Sequence, residues 1–556
     1  MSTWNHRSFL GRASRSGLVL GIGLTSSLLW AISVESAEPP WHDVYRDGFQ
    51  ISHLTEGWQS TLTSSARTAD GLRITDPSTA EGSGRFFHVD WGVEPQQGAT
   101  VEVRLKAISC SEPWGVALLV SDGEHEEGVT FFPHQIMLAT AGLTAPFTAA
   151  DQFHTYRVRF KKSDIQVWAD DKLVLDGQGK FTRPAHARRN QLGFGCGSSN
   201  ATGEAIWQWV RFQGGQIDAP QVTLPHVAEL DIQVGATQVI VPGETYRSLF
   251  KLTDGTLVVA DRRSSDGGRT WKPGLALHTG AYQFPDGEIV QLGFHSQQTD
   301  RPGYFSIPLS RSTDNGRTAR SETSLLHIPD ATGGTGDDGK PYEGPVADHA
   351  IVALHDGSLL AAMYGQFSGD RVPVPTMPAA WNCYKYRTFV VRSTDRGKTW
   401  EYLSTVAYDP SVGLESFCEA DLLVLPDGEI LCFMRTGGSG GKYTPLYLSR
   451  SADNGRTWST PQPIADRGVW PNACRMRNGL IVCTYGRPGN WLAFSLDAGR
   501  TWTGHFCFHT GPTTSYNSVE EIAPDVLLVV HDCRQLGPDG NLRPEIVGTT
   551  VTVRRQ

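Results

Sequence analysis

Polar and apolar residues alternate along Tyr156-Arg157-Val158-Arg159-Phe160, the pattern of a strand with one buried face. The surrounding stretch, Phe153 to Gly177, breaks at Ala169-Asp170-Asp171-Lys172 and returns as Leu173-Val174-Leu175. Two acidic residues between apolar runs predict a tight turn and hence a hairpin. Further along, apolar runs come in pairs around a short polar turn. These are KLTDGTLVV at Asp254, QFPDGEIV at Asp286, ALHDGSLLAA at Asp356, VLPDGEILCF at Asp427, RMRNGLIVC at Asn478 and EIAPDVLLVV at Asp525. Asp-Gly or Asn-Gly between apolar strands is a strong hairpin signal.

A second phrase follows each of the first five hairpins: Ser-x-Asp-x-Gly-x-Thr-Trp. It stands at Ser264–Trp271, Ser393–Trp400, Ser451–Trp458 and Ser495–Trp502, and as Ser312–Ala319 without its Trp. Asp and Ser side chains bond back to nearby amides, Gly accepts positive φ, and Trp supplies an apolar plug. These turns are expected to be structural. They lack the distant bidentate Glu of a calcium loop, so no metal is expected. Hairpin, connection and second hairpin make four strands per unit. Six such units imply a six-bladed β-propeller.

Composition agrees with an all-β chain. In 556 residues there are 60 Gly and 16 Trp but only 6 Met, and no long helical periodicity. The length allows two or three domains. A net charge of −9 argues against nucleic acid or an anionic membrane as partner. An anionic ligand would need a local cluster of Arg.

The expected organisation is residues 1–37 as a signal peptide, 43–215 as a β-sandwich and 225–553 as the propeller. Arg7, Arg12 and Arg15 precede a mostly apolar run from Gly17 to Ile32, and small residues lead to Ala37 and Pro39-Pro40. That pattern looks like an export signal, so a secreted or periplasmic location is expected. Glu35 fits poorly before a cut after Ala37, so cleavage after Ser36 and an uncleaved anchor remain alternatives. The stretch Gln216 to Leu230, with Pro220 and Pro225, reads as a linker. Nine Cys in an exported chain point to disulfides. Cys474 and Cys483 flank the Asn478-Gly479 turn, which makes a bridge between them a hypothesis.

The hairpin register places side chains. Eight residues before Asp427 stands Glu419, at the face opposite the turn. The same count gives Asp348 in the third unit and, from Pro524, Tyr516 in the last. Returning strands bring Arg435 and Arg487 to the same face. Each of these has a plain structural reading as well, such as a salt-bridged Arg.

Repeated Asp boxes on a six-bladed propeller resemble the sialidase (neuraminidase) family over the last three-fifths of the chain. The stretch Cys418-Glu419-Ala420-Asp421-Leu422, followed by PDGEILCFMR, is similar to the one holding that family's catalytic Glu and a triad Arg. Ser515-Tyr516-Asn517-Ser518 resembles the stretch with the nucleophilic Tyr, and Tyr485-Gly486-Arg487-Pro488 sits where another triad Arg is found. The resemblance implies Tyr516 as nucleophile, Glu419 as its base, and Arg435 and Arg487 as clamps on a sugar carboxylate. Arg holds a carboxylate bidentately, and a neutral Tyr avoids repulsion by an anionic substrate. A glycan or glycoconjugate is the implied partner, with no cofactor.

Two parts of the family pattern are altered. Tyr246-Arg247-Ser248-Leu249 replaces Phe/Tyr-Arg-Ile-Pro, which shifts Arg247 toward the turn, with Thr245 at the family's Arg position. The loop that carries the family's acid/base Asp is nearly absent. Asp261 is a possible remnant and Asp348 the favoured replacement. The long loop Gly365 to Tyr386, with Asp370, Arg371 and Trp381, is expected to shape the pocket mouth. The 153–177 hairpin resembles those of concanavalin- and laminin-G-like sandwiches. A different sugar on this fold and a non-catalytic glycan-binding propeller remain alternatives.

Overall fold

The computed structural model describes residues 41–556 apart from 47–54, 60–61, 187–188, 216–226, 278–279, 337–338, 376, 378, 438–443, 511–512 and 537–541. The expected signal peptide and most of the expected linker therefore lie outside the described residues. So do the side chains of Asp348 and His349, although their backbone belongs to the strand Val346–Ala353. Apart from short 3-10 turns such as Ala379–Trp381, the regular elements are strands.

The described residues between 42 and 213 form two antiparallel sheets, of eight and seven strands. They share one apolar core that includes Phe87, Phe131, Tyr156, Phe160, Phe194, Trp207 and Phe212. The alternation read at residues 156–160 is seen directly in His154–Lys161, where every second side chain is buried. Asp170 and Asp171 take φ of +46° and +62° and join Asp164–Ala169 to Lys172–Gly177. Acidic residues tolerate this left-handed turn better than most, which is why the pair marks it.

From Leu249 onward the chain makes antiparallel runs of four strands. The first, from Leu249–Lys251 to Lys272–Pro273, is a sheet of its own. The second (Ala281–Gln283, Ile289–Leu292, Tyr304–Ser312, Arg320–His327) and the third (Val346–Ala353, Leu359–Phe367, Arg387–Ser393, Thr399–Ala407) join in one ten-stranded sheet through parallel pairing of Arg320–His327 with Thr399–Ala407. The fourth run comprises Cys418–Val424, Ile430–Arg435, Leu446–Ser451 and Gln462–Ala465. The fifth comprises Val469–Arg475, Ile481–Gly486, Asn490–Ser495 and Thr503–His509. The last joins Asn517–Ala523, Val526–Leu536 and Leu542–Arg555 to Leu230–Pro242, a strand from far earlier in sequence that pairs Leu230 with Arg555. First strands of consecutive runs lie side by side, as Cys418–Val424 does with Val469–Arg475.

The repeated turns have one geometry. In Ser451–Trp458 the Asp453 Oδ1 accepts the amides of Arg456 and Thr457 at 3.0 and 2.9 Å, and Oδ2 accepts the Thr457 hydroxyl at 2.6 Å. The Thr457 hydroxyl and amide hold the Asp453 carboxyl down at about 2. Ser451 Oγ accepts the Gly455 amide, and Trp458 Nε1 donates to the Gly455 carbonyl. Every oxygen of the Asp is thus used locally.

Neighbouring runs are also latched. The Arg before the Ser reaches the next turn: Arg263 to the Asn315 carbonyl, Arg311 to that of Arg396, Arg450 to that of Ala498. The turn without a Trp, at Ala319, keeps this contact.

The proposed Cys474–Cys483 bridge is not formed; all nine Cys are thiols. Cys474 pairs with Val482, and Cys483 with Ala473. The one-residue offset turns the two thiols to opposite faces of the sheet, into different cores.

Candidate functional site

First strands of the fourth and fifth runs open with the same distortion. Pairing passes from Cys418↔Arg435 to Asp421↔Phe433, and from Val469↔Gly486 to Asn472↔Thr484. Each first strand carries one extra residue there, a β-bulge. The bulge places Glu419 and Trp470 at φ of +40° and +48°. Ser515, just before the first strand of the last run, is at +62°. Non-Gly residues in this region are held by their surroundings at a local cost, and such positions gather at functional sites. The third run has a longer bulge at 348–350, between Ala347↔Met363 and Ile351↔Ala361.

The bulges bring distant side chains together. Tyr516 Oη donates to Glu419 Oε1 at 2.8 Å. Arg435 donates to the same oxygen at 2.5 Å through one terminal nitrogen, and its other meets Glu415 at 3.3 Å. Glu419 Oε2 is buried with no hydrogen-bond partner among the described residues. Burial alone would raise the Glu419 carboxyl. The Arg435 charge, helped by Tyr516 and Arg487, outweighs burial and leaves it below its ordinary value. Glu419 is therefore an anion at neutral pH. Arg435 is shifted the other way, upward, because the Glu419 and Glu415 charges overcome its burial.

The phenol ring of Tyr516 is enclosed by aromatic groups. Trp470 stacks on it at 4.3 Å between centroids and 17° between planes. Tyr246 meets it edge-on at 5.7 Å. The Arg487 guanidinium lies 5.8 Å from its centroid and donates to the Thr514 carbonyl at 2.7 Å.

Of the residues singled out from sequence, Glu419, Arg435, Arg487 and Tyr516 come together. Arg247 does not join them by any observed contact: it is half exposed, faces Glu244 at 3.6 Å and donates to the Tyr246 carbonyl. Asp261 is exposed and pairs with Arg262. Asp370 is buried in a two-pronged pair with Arg387, both contacts at 2.9 Å. It anchors its loop to the third run.

Three residues in the cluster were not anticipated: Tyr246, Glu415 and Trp470. Two had a signal. Eight residues before Asp254 stands Tyr246, and eight before Asn478 stands Trp470. The count that yields Glu419 yields both.

Residues 289–521 match the BNR repeat-like domain. No curated protein matches the chain. Among solved structures, the chain is similar to a protein of unknown function from Dyadobacter fermentans, at 18% identity over 57% of this chain and 99% of that one, TM-score 0.40. It is also similar to the NanB sialidase of Streptococcus pneumoniae, at 11% identity over 84% and 98%, TM-score 0.37. An alpha-L-arabinanase of Penicillium chrysogenum is 17% identical over 58% and 98%, TM-score 0.37. The BNR repeat-like segment contains Glu415, Glu419, Arg435, Trp470, Arg487 and Tyr516. Tyr246 lies outside it.

Proposed function

We propose that this protein is an exported glycoside hydrolase of sialidase type, releasing a terminal acidic sugar with retention of configuration. The carrying observation is the 2.8 Å hydrogen bond from Tyr516 to the ionised Glu419. A phenol is a weak nucleophile until a neighbouring base takes its proton. In this reading Glu419 accepts that proton as the Tyr516 oxygen bonds to the anomeric carbon. The bond to the leaving group breaks, and its oxygen is protonated by an acid, for which Asp348 is proposed. Water, giving a proton to the Asp348 carboxylate, then attacks the anomeric carbon and breaks the Tyr–sugar bond as Glu419 returns its proton to Tyr516. Arg435 and Arg487 would orient the sugar carboxylate. The four-strand runs are read as six blades of a ring, closed by the pairing of Leu230–Pro242 with the C-terminal strands. Residues 43–215 are read as a separate sandwich domain. Tyr516→Phe should abolish turnover of an aryl sialoside; an unchanged rate would sink the reading.

A neutral sugar on the same scaffold is favoured by one observation. Arg435 already faces two carboxylates, Glu419 and Glu415, and Arg247 turns to Glu244. The local charge is nearly balanced before any substrate arrives, so an anion gains less there. A panel of aryl glycosides separates the two readings: hydrolysis of neutral glycosides only would displace the acidic sugar.

A further inference from the structure

We propose that Trp470 and Tyr246 are positioning residues that hold the Tyr516 phenol in line for attack, without touching substrate themselves. The proposal rests on Tyr516 being the nucleophile.

Both rings are turned onto Tyr516 and onto each other: Trp470, 9% exposed, and Tyr246, 6% exposed, meet edge-on at 5.8 Å. What they offer is a chain of contacts to Tyr516. The Trp470 indole covers one face of the phenol at 4.3 Å. Its Nε1 donates to Tyr246 Oη at 3.1 Å, and Tyr246 Oη donates to the Asn517 carbonyl at 3.0 Å. Asn517 is the residue next to Tyr516, so the chain returns to the nucleophile's own backbone. The Tyr246 ring closes it from the edge, at 88° to the phenol. Stack, edge contact and two hydrogen bonds restrict rotation of the phenol about its side-chain torsions.

The backbone pays for this arrangement with an unfavourable conformation at Trp470, whose φ of +48° is rare for a bulky residue. A regular strand would send position 470 elsewhere; the bulge turns it onto Tyr516. Tyr246 comes from ahead of the first run, far from both partners in sequence. Pre-set geometry of this kind matters because a misplacement of about 1 Å in a reacting group costs about a hundredfold in rate.

The test uses the full-length protein and the best substrate of the aryl glycoside panel. Trp470→Leu removes the flat ring, Trp470→Phe keeps a ring without the N–H, and Tyr246→Phe removes the bridging hydroxyl. The expected result is a kcat lowered about tenfold to a hundredfold in Trp470→Leu and Tyr246→Phe, with KM nearly unchanged and Trp470→Phe between these and wild type. Circular dichroism and a binding titration with a non-hydrolysed substrate analogue verify that each variant is folded and retains the ligand. A merely structural role would lower the active fraction and leave the kcat of that fraction unchanged. Wild-type kcat per active site in Trp470→Leu overturns the proposal, as does a rise in KM alone. A wild-type protein that hydrolyses no glycoside removes the nucleophile reading and this proposal with it, an outcome distinct from an active enzyme indifferent to Trp470.

Discussion

Glu419 and Trp470 occupy the same place in neighbouring sheets. Each is the left-handed residue of a bulge at the start of a first strand, and each is turned onto Tyr516, one by hydrogen bond and the other by stacking. The repeat thus delivers a carboxylate and an indole to one phenol by a single backbone device. Different side chains on equivalent positions make the cluster.

Glu419→Gln keeps the size of the side chain and removes its charge. Turnover should fall about a hundredfold or more, the range for loss of a general base. The buried Arg435 retains Glu415 as partner, so the fold should survive with reduced stability. The pH dependence has a definite sign. The Glu419 carboxyl is lowered from 4.5 in the folded state, so its ionised pairing stabilises the fold above that value and is lost as pH falls through the lower one. The melting-temperature gap between wild type and variant should therefore shrink in acid.

Asp421 has the opposite sign. Burial pushes its carboxyl up from 3.8 to about 7, against hydrogen bonds from the Ala473 amide and the Asn472 side chain. Between those values the unfolded chain releases this proton while the folded chain keeps it, so stability falls as pH rises toward 7. The fifth run carries Asn472 at the equivalent bulge position, a side chain with no charge to bury. Asp421→Asn should therefore raise the melting temperature at pH 8 and change it little at pH 4. An unchanged melting temperature at pH 8 would contradict the burial argument.

The Trp plugs differ in depth. Trp400 is buried at 1% exposure, whereas Trp271 is partly exposed. Trp400→Ala should cost about 3–5 kcal/mol in chemical denaturation, and Trp271→Ala clearly less. Equal losses would mean that the turn's hydrogen bonds, not the plug, hold each unit.

Cys474 and Cys483 face opposite cores, so a reductant should leave the melting temperature unchanged as far as this pair is concerned. Mass mapping without reduction should find both as thiols.

The turns and hairpins were legible because their chemistry is local. Asp453 bonds only to residues within four positions of itself, and Asp170-Asp171 take the left-handed turn themselves, with Asp170 also held by His154 and Thr155 of the neighbouring strand. The eight-residue count to Glu419 worked because the strand and its turn form a rigid ruler. The same ruler reached Tyr246 and Trp470, but an aromatic residue at such a place reads equally well as core. Glu415 carried no signal at all: it belongs to the loop before its strand, and the Arg435 guanidinium that it meets at 3.3 Å links it to Glu419.

The sequence by itself determined the strands, the repeated turns and the acid and basic side chains available at one end of the first strands. It did so because those depend on alternation and on hydrogen bonds between near neighbours. The tertiary structure decided which of them meet. Arg247 was a candidate by resemblance to a family motif, yet its charge goes to Glu244; Cys474 and Cys483 were symmetric about a turn, yet a one-residue offset parts them. Such outcomes hang on register and on bulges, where one extra residue redirects a side chain, and the energies that select them come from contacts between residues far apart in the chain.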